Sequence, residues 1–228
     1  TVEPNRVIFI EGVKELRGYD HRAIFDRNEA ASWASAALAT RGDVFVGGAQ
    51  QEEMMTFLNV FRKVGGDFEV HDDGIRFFHP GGELKPVTIE TDVHPGFMTD
   101  WQQPLVVALT QANGVSTIHE TVYENRFGFT SALGQMGADI VVYEDGLADD
   151  RRRVMRREFE QAAVISGPTP LHGADIEVPD LRGGFSYLIA GLTASGQTKV
   201  TNLGIISRGY ENFIEKLRQL GADFVFEG

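Results

Sequence analysis

Three stretches of the chain are apolar at almost every position, a pattern typical of helices that are buried on all sides. They cover residues 30–39, 105–109 and 188–192. An aspartate precedes each stretch, at a place suited to the N-terminus of a helix. These aspartates are Asp26, Asp100 and Asp180. We therefore predict three buried helices, each with an aspartate at its head.

The same succession of turns and strands returns after each of these helices, which indicates an internal repeat. A glycine ends the first helix and opens a strand, and a second glycine ends a one-sided apolar helix and opens another strand. These glycines are Gly42, Gly114 and Gly196, and then Gly65, Gly137 and Gly221. The pattern predicts an α/β fold of the α+β type, in which three helix-sheet units at about 21–95, 96–178 and 179–228 surround a shared core of helices.

Shorter segments complete or interrupt this pattern. Alternating residues predict additional strands at 74–78 and 87–91, and the last repeat predicts a strand at 223–226. Residues 149 to about 170 interrupt the second unit and are interpreted as an insertion. Five arginines fall between positions 151 and 157, and we expect a solvated helix or loop there, with a nucleic-acid or partner contact as the alternative.

Composition narrows the classes of function. The formal net charge of the 228 residues is −12, which argues against binding to nucleic acid. No apolar run approaches the roughly 20 residues that span a bilayer, and the first residues do not resemble a secretion signal, so we expect no membrane partner. The absence of cysteine excludes disulfides and thiolate sites and is consistent with a cytoplasmic protein. The chain does not start with methionine, and we expect residues upstream of it.

The aspartates and nearby arginines are the candidate functional residues. Asp26 and Asp100 have the spacing of a capping box, so each of the three aspartates has a structural interpretation as a helix cap. Alternatively, the three helix N-termini point to one end of the domain and together attract an anion. Arginines suited to binding carboxylate or phosphate lie just after these aspartates or in the turns before the second helices. They are Arg27, Arg126, Arg182 and Arg208. No metal cluster or cofactor-binding motif is predicted.

Four motifs in this order resemble the UDP-N-acetylglucosamine 1-carboxyvinyltransferase family, the UDP-GlcNAc enolpyruvyl transferases. They are His94 to Gln102, Glu120-Thr-Val-Tyr-Glu-Asn-Arg-Phe127, Asp180-Leu-Arg182, and Arg208-Gly-Tyr-Glu211 followed by Lys216 to Ala222. The resemblance covers nearly the whole chain apart from the insertion. It implies one domain of a two-domain enzyme, an inside-out α/β barrel of three units, and residues 1–20 as the hinge or the end of the preceding domain.

The resemblance also implies an activity and roles for individual residues. The family transfers the enolpyruvyl group of phosphoenolpyruvate to the 3′-hydroxyl of UDP-GlcNAc, for peptidoglycan synthesis, without a cofactor. Asp100 corresponds to the residue that meets the sugar hydroxyl and acts as general base, and the backbone at Val122 contacts the sugar nucleotide. Arg208 holds phosphoenolpyruvate. Asp180 and Arg182 line the cleft, and Arg126, Asp26 and Arg27 support it.

Other interpretations remain open because the chain departs from the family pattern and covers half of it. Asn28 stands where the family commonly has Ile, and Ser207 where it commonly has Asp. The family's other catalytic groups lie in the missing N-terminal domain, so we expect the isolated chain to be inactive. The alternatives are a non-catalytic sugar-nucleotide or anion-binding module and an enolpyruvyl transferase for another acceptor. Shikimate 3-phosphate fits the motifs less well than UDP-GlcNAc.

Overall fold

A computed structural model describes residues 7–143 and 161–226 and contains mixed α/β structure. The α-helices are α1 (Arg27–Ala39), α2 (Met55–Val64), α3 (Gln102–Leu109), α4 (Thr130–Gln135), α5 (Leu181–Thr193) and α6 (Phe213–Gln219). The strands are β1 (Asp43–Gly47), β2 (Asp67–His71), β3 (Gly74–Phe78), β4 (Thr88–Glu90), β5 (Gly114–Glu120), β6 (Asp139–Tyr143), β7 (Gln161–Gly167), β8 (Asp175–Glu177) and β9 (Lys199–Thr201). The predicted strands at 74–78 and 87–91 are thus confirmed, the latter with bounds 88–90.

Helices α1, α3 and α5 form the interior, and they pack directly against one another. Every residue of α1 from Ala30 to Ala39 is buried, and so is every residue of α3. The small side chains of α1 let neighbouring backbones approach closely, so its body has no room for solvent. The prediction of buried helices is confirmed for α1 and α3, whereas α5 is buried only in part, with Leu192 37% exposed.

The strands form three small sheets around these helices. The first has the order β1-β3-β2 and is antiparallel throughout. The second has the order β4-β5-β7-β6, in which only the pairing of β4 with β5 is parallel. The third pairs β8 with β9 in parallel. The second sheet places the end of β5, at Glu120, beside the start of α3.

The remaining helices bury one side only, as their apolar spacing predicts. In α6 the buried residues are Phe213 and Leu217, one helical turn apart, and the residues between them are at least partly exposed. Helix α2 ends at Val64 and is followed by Gly65, which has a φ of 117°, a left-handed conformation that glycine adopts without steric cost.

Two expectations about chain segments are wrong. Residues 223–226 form no strand: within residues 7–143 and 161–226 no strand pairs with this segment, and the side chain of Val225 is 87% exposed. Residues 161–167 are not an insertion, because they form β7, an inner strand bonded to β5 on one side and β6 on the other. The arginine-rich stretch at 149–160 lies outside the described residues.

Residues 7–25, which precede the cap of α1, lie on the surface and have no regular secondary structure beyond an isolated bridge. Its large apolar side chains are exposed: Val7, Ile8, Phe9, Ile10, Val13, Leu16, Tyr19, Ile24 and Phe25. Within the described residues, none of the helices has the length and apolar character needed to cross a membrane.

Candidate functional site

The three aspartates at the helix heads do not all serve the same purpose. Asp26 caps α1, because its carboxylate accepts a hydrogen bond from the backbone N–H of Asn28. Asp180 caps α5 in the same way, accepting from two backbone N–H groups. Asp100 instead lies inside a short 3₁₀ turn, Thr99–Trp101, and its side chain caps no helix. The capping-box prediction is therefore wrong for Asp100, and its carboxylate is left for other contacts.

The Asp100 carboxylate is held by three side chains from other parts of the chain. Its Oδ1 accepts a hydrogen bond from Nη2 of Arg126. Its Oδ2 accepts one from the Asn28 amide at 3.3 Å and lies 3.4 Å from Nε of Arg182. The Asp100 side chain is 27% exposed, so the group is partly shielded but still reachable from solvent. These contacts fix the position of the Asp100 carboxylate.

Arg182 joins the heads of all three buried helices. Its backbone N–H is capped by Asp180, and its guanidinium lies 3.4 Å from Asp100 and 3.8 Å from Asp26. The guanidinium also lies over the ring of Tyr210, 5.6 Å from its centroid. Burial lowers the pKa of Arg182, but the hydrogen bond and charges of Tyr210, Asp100 and Asp26 outweigh burial, so this pKa lies above its ordinary value. The helix heads therefore meet around a permanent cation.

Arg126 is held on its second side by the residue three positions after Asp100. With the Gln103 amide oriented to satisfy both of its ends, its oxygen accepts from Nε of Arg126 at 2.6 Å, and its nitrogen donates to the Thr99 carbonyl at 3.1 Å. The Arg126 guanidinium also lies 5.0 Å from the ring centroid of Tyr123. These contacts bring the loop after β5 against the turn that carries Asp100.

Two of the side chains that contact Asp100 each have a buried polar atom with no hydrogen-bond partner within the described residues. One is Oδ1 of Asn28, an acceptor, and the other is Nη1 of Arg182, a donor. Buried polar atoms are nearly always hydrogen-bonded in native structures, so an unpaired acceptor and an unpaired donor beside one carboxylate suit a bound polar ligand.

Val122 lies in the loop after β5, and its backbone N–H is occupied by Oε1 of Glu120 at 2.8 Å. Its carbonyl remains the part of its backbone that can meet a ligand. The buried Glu120 carboxylate also binds side chains beside Asp100, so Val122 and Asp100 belong to one connected arrangement.

The other predicted site residues lie further from this cluster. Arg27 forms an ion pair with Glu53 at 2.7 Å and thereby ties α1 to the turn before α2. Arg208 is exposed and lines a groove together with Glu29, Tyr210 and Arg218. No contact between Arg208 and Asp100 is found among the described residues. The structure thus brings together Asp26, Asp100, Arg126 and Arg182, with Asp180 and Val122 adjoining, and leaves Arg27 and Arg208 at the edge.

Four residues that hold the Asp100 cluster in place were not predicted from the sequence: Asn28, Gln103, Glu120 and Tyr210. Glu120 and Tyr210 stand inside the quoted motifs, but an isolated Glu or Tyr carries no local signal for the partner it will meet across the fold. Asn28 was noticed only as a departure from the family pattern. The Ser32 hydroxyl on α1 hydrogen-bonds to the Tyr210 hydroxyl at 2.8 Å, a contact between residues 178 positions apart.

Comparisons with known proteins agree with the motifs. A UDP-N-acetylglucosamine 1-carboxyvinyltransferase of Protochlamydia amoebophila (strain UWE25) is 51% identical over 223 residues, which are 98% of this chain and 48% of that protein. One from Chlamydia muridarum (strain MoPn / Nigg) is 42% identical over 228 residues, all of this chain and 52% of that protein. The resemblance inferred from the motifs is confirmed, and the chain spans about half the length of these curated relatives.

Solved structures give the same fold. The enolpyruvyl transferase NikO from Streptomyces tendae matches 88% of this chain and 44% of its own, with a TM-score of 0.73 and 26% identity. An EPSP synthase from Acinetobacter baumannii covers 88% of this chain and 46% of its own with a TM-score of 0.66, and at 19% identity it shows the fold alone. The family model of EPSP synthase (3-phosphoshikimate 1-carboxyvinyltransferase) matches residues 1–217, nearly the whole chain. The chain belongs to this family.

Proposed function

We propose that this chain is the C-terminal half of an enzyme that transfers the enolpyruvyl group of phosphoenolpyruvate to the 3′-hydroxyl of UDP-GlcNAc, with release of phosphate. The observation that carries the proposal is the Asp100 carboxylate, which caps no helix and is held by Arg126, Arg182 and Asn28. The names of the relatives support the choice of substrates.

In the proposed reaction Asp100 accepts the proton of the sugar hydroxyl while that oxygen bonds to C2 of phosphoenolpyruvate. A proton is added to C3 by a group in the absent half of the enzyme, a Cys or Asp on its mobile loop. Phosphate then leaves C2, and a proton lost from C3 restores the double bond. A positioned general base of this kind contributes about 10²- to 10⁴-fold to the rate.

The arginines supply the charge that this reaction requires. Phosphoenolpyruvate carries a carboxylate and a phosphate, and preorganised cations stabilise the negative charge as the tetrahedral centre forms. Arg182 has a buried Nη1 without a partner, and exposed Arg208 forms no ion pair within the described residues. We assign both to phosphoenolpyruvate, Asp180 to holding Arg182, and Arg126 with Asp26 and Arg27 to supporting the cleft.

The architecture we propose follows the repeat in the sequence. Three units at about 21–95, 96–178 and 179–228 surround α1, α3 and α5 as an inside-out α/β barrel. Residues 1–20 belong to the hinge or the preceding domain, and the exposed apolar side chains of residues 7–25 support this, since such side chains are normally covered by another surface. We place the complete enzyme in the cytoplasm and expect the isolated chain to be inactive.

The test is phosphate release by the product of the complete reading frame, supplied with phosphoenolpyruvate and UDP-GlcNAc. We expect release that depends on the sugar nucleotide and that falls about 10²- to 10⁴-fold in Asp100→Asn. The exposed Asp175→Asn in β8 is the matched control and retains the wild-type rate. Near-normal turnover by Asp100→Asn would remove Asp100 from the mechanism.

A second candidate is an enolpyruvyl transferase that acts on another acceptor. It is favoured by Asn28, which contacts Asp100 directly and stands where the family commonly has an apolar residue. Phosphate release that fails with UDP-GlcNAc but occurs with another hydroxyl compound would support this candidate. Binding of the sugar nucleotide without turnover by the complete protein would instead support a non-catalytic binding module.

A further inference from the structure

Glu120 is a carboxylate with no exposed surface, at the last position of β5. No ion pair within the described residues includes it, although a buried carboxylate needs compensation from charges or hydrogen bonds. Its compensation comes from four hydrogen bonds. Each of its two oxygens accepts two of them, and the two oxygens face different parts of the chain.

Oε1 of Glu120 holds the loop that follows β5. It accepts the backbone N–H groups of Val122 at 2.8 Å and Tyr123 at 2.9 Å. Both peptides are thereby fixed in orientation, and the carbonyl of Val122 is fixed with them. Without this acceptor, the turn from β5 into the loop has two N–H groups to satisfy elsewhere.

Oε2 of Glu120 holds the turn that carries Asp100. It accepts the Thr99 hydroxyl at 2.8 Å and the side-chain amide of Gln102. These residues lie one position before and two positions after Asp100, and both are buried. A shift of this turn would therefore carry the Asp100 carboxylate with it.

We infer that Glu120 is a positioning residue that sets the Asp100 carboxylate and the Val122 peptide at a fixed separation, so that both reach the same sugar nucleotide. The inference rests on the proposed function, since it assumes that one UDP-GlcNAc molecule contacts both Asp100 and Val122. Glu120 touches neither substrate. Its effect on the rate comes from orienting these two groups. A misplacement of a catalytic group by about 1 Å can lower the rate roughly 100-fold.

The surroundings allow an amide to replace this carboxylate. Oε1 of Gln102 is buried and has no hydrogen-bond partner in the described structure. In Glu120→Gln, the new amide oxygen keeps the N–H groups of Val122 and Tyr123. The new amide nitrogen donates to Oε1 of Gln102 once that side chain turns over, and to the Thr99 hydroxyl oxygen. Glu120→Gln therefore removes the charge and retains the connection, whereas Glu120→Ala removes both.

The first measurement is amide hydrogen exchange of residues 121–125 in the complete protein. It reports on the loop independently of activity, so it stays informative even if UDP-GlcNAc proves not to be the acceptor. We expect wild-type protection in Glu120→Gln and a loss of at least 10-fold for Val122 and Tyr123 in Glu120→Ala. Equal protection in Glu120→Ala would overturn the inference.

The second measurement is steady-state kinetics of the same variants, with thermal unfolding to confirm that they are folded. Glu120→Gln should keep kcat/KM for the sugar nucleotide within about 3-fold, and Glu120→Ala should lower it about 100-fold, through both kcat and KM. A Glu120→Gln variant as impaired as Glu120→Ala would refute positioning and indicate a role for the charge.

Thr99→Val serves if Glu120→Ala does not fold, because it removes a single hydrogen bond and preserves side-chain shape. Thr99→Val loosens only the turn that carries Asp100 and leaves the hydrogen bonds of Glu120 Oε1 to the loop in place. We therefore expect kcat to fall, while KM for the sugar nucleotide and the exchange protection of Val122 stay near wild type. A rise in KM with unchanged kcat would contradict the assignment. Absence of UDP-GlcNAc-dependent turnover in the wild type, with the exchange pattern as expected, would reject the proposed function alone.

Discussion

Replacing Asp180 tests whether a helix cap and a functional role coincide in one residue. Oδ1 of Asp180 accepts the backbone N–H of Arg182 at 2.9 Å and that of Gly183 at 3.0 Å. Asp180→Ala leaves both without an acceptor, and Gly183 is buried, so water does not readily replace the lost bond. Loss of an N-cap costs about 0.5–2 kcal/mol, and we expect the upper half of that range, about 1–2 kcal/mol.

Thermal unfolding measures this loss directly. For a chain of 150–250 residues, 1 kcal/mol corresponds to roughly 2–4 °C in Tm, so Asp180→Ala should unfold about 2–8 °C below the wild type. Asp180→Asn keeps an oxygen acceptor and should stay within about 0.5 kcal/mol of the wild type, because Asn caps helices as well as Asp does. The exposed Asp175→Ala, in β8, is a control for the loss of one negative charge.

Comparing Asp180→Asn with Asp180→Ala shows why Asp180 stabilises α5. Equal destabilisation by Asp180→Asn and Asp180→Ala would refute hydrogen-bonded capping and favour the interaction of the charge with the helix dipole. An unchanged Tm in Asp180→Ala would show that the cap contributes nothing. If Asp180→Asn is stable yet turns over slowly in the complete enzyme, its charge is required in the cleft and its cap is separate from that requirement.

Two further outcomes are expected. Asn28→Leu removes the 3.3 Å hydrogen bond to Asp100, and kcat/KM of the complete enzyme should fall about 2- to 10-fold, while an unchanged value would show that this contact does not orient the carboxylate. Burial raises the pKa of Tyr187 to about 12, so its contribution to the free energy of unfolding is fully present below about pH 10 and is lost as the pH rises towards 12. Denaturant midpoints from pH 9 to 11.5 should fall less steeply in Tyr187→Phe than in the wild type, and parallel slopes would count against this assignment.

The buried helices could be predicted because their signal is local. Ala30 to Ala39 contains almost no polar side chain beyond serine, and such a run is stable only when other elements cover it. Asp26 and Asp180 precede their helices directly, so their capping could also be read from position. The strand at 223–226 rests on the same kind of evidence and is absent, because alternation predicts a strand face but not a partner, and none pairs with it among the described residues.

The chemistry of the site depends on contacts that no local pattern contains. Asp100 has the spacing of a cap, yet a 3₁₀ turn shifts the start of α3 by one residue, to Gln102, and the Asp100 carboxylate contacts Arg126 and Arg182 instead. Resemblance to a family pointed to Asp100, Arg126 and Arg182 as site residues, and the structure brings their side chains together. It did not name Glu120, whose four partners are recognisable only when the turn before α3 and the loop after β5 are side by side.

For the proposed transferase, the close packing of α1, α3 and α5 has a consequence for how the acceptor can change during evolution. Their bodies tolerate little variation, because a larger side chain among Ala30 to Ala39 has no free space to enter. At the N-termini of these helices the side chains contact one another and solvent. Asn28 can therefore be exchanged without disturbing the interior. Selection for a new acceptor therefore acts on a few rim positions, while the helix bodies preserve the frame in which Asp100 and Arg182 meet.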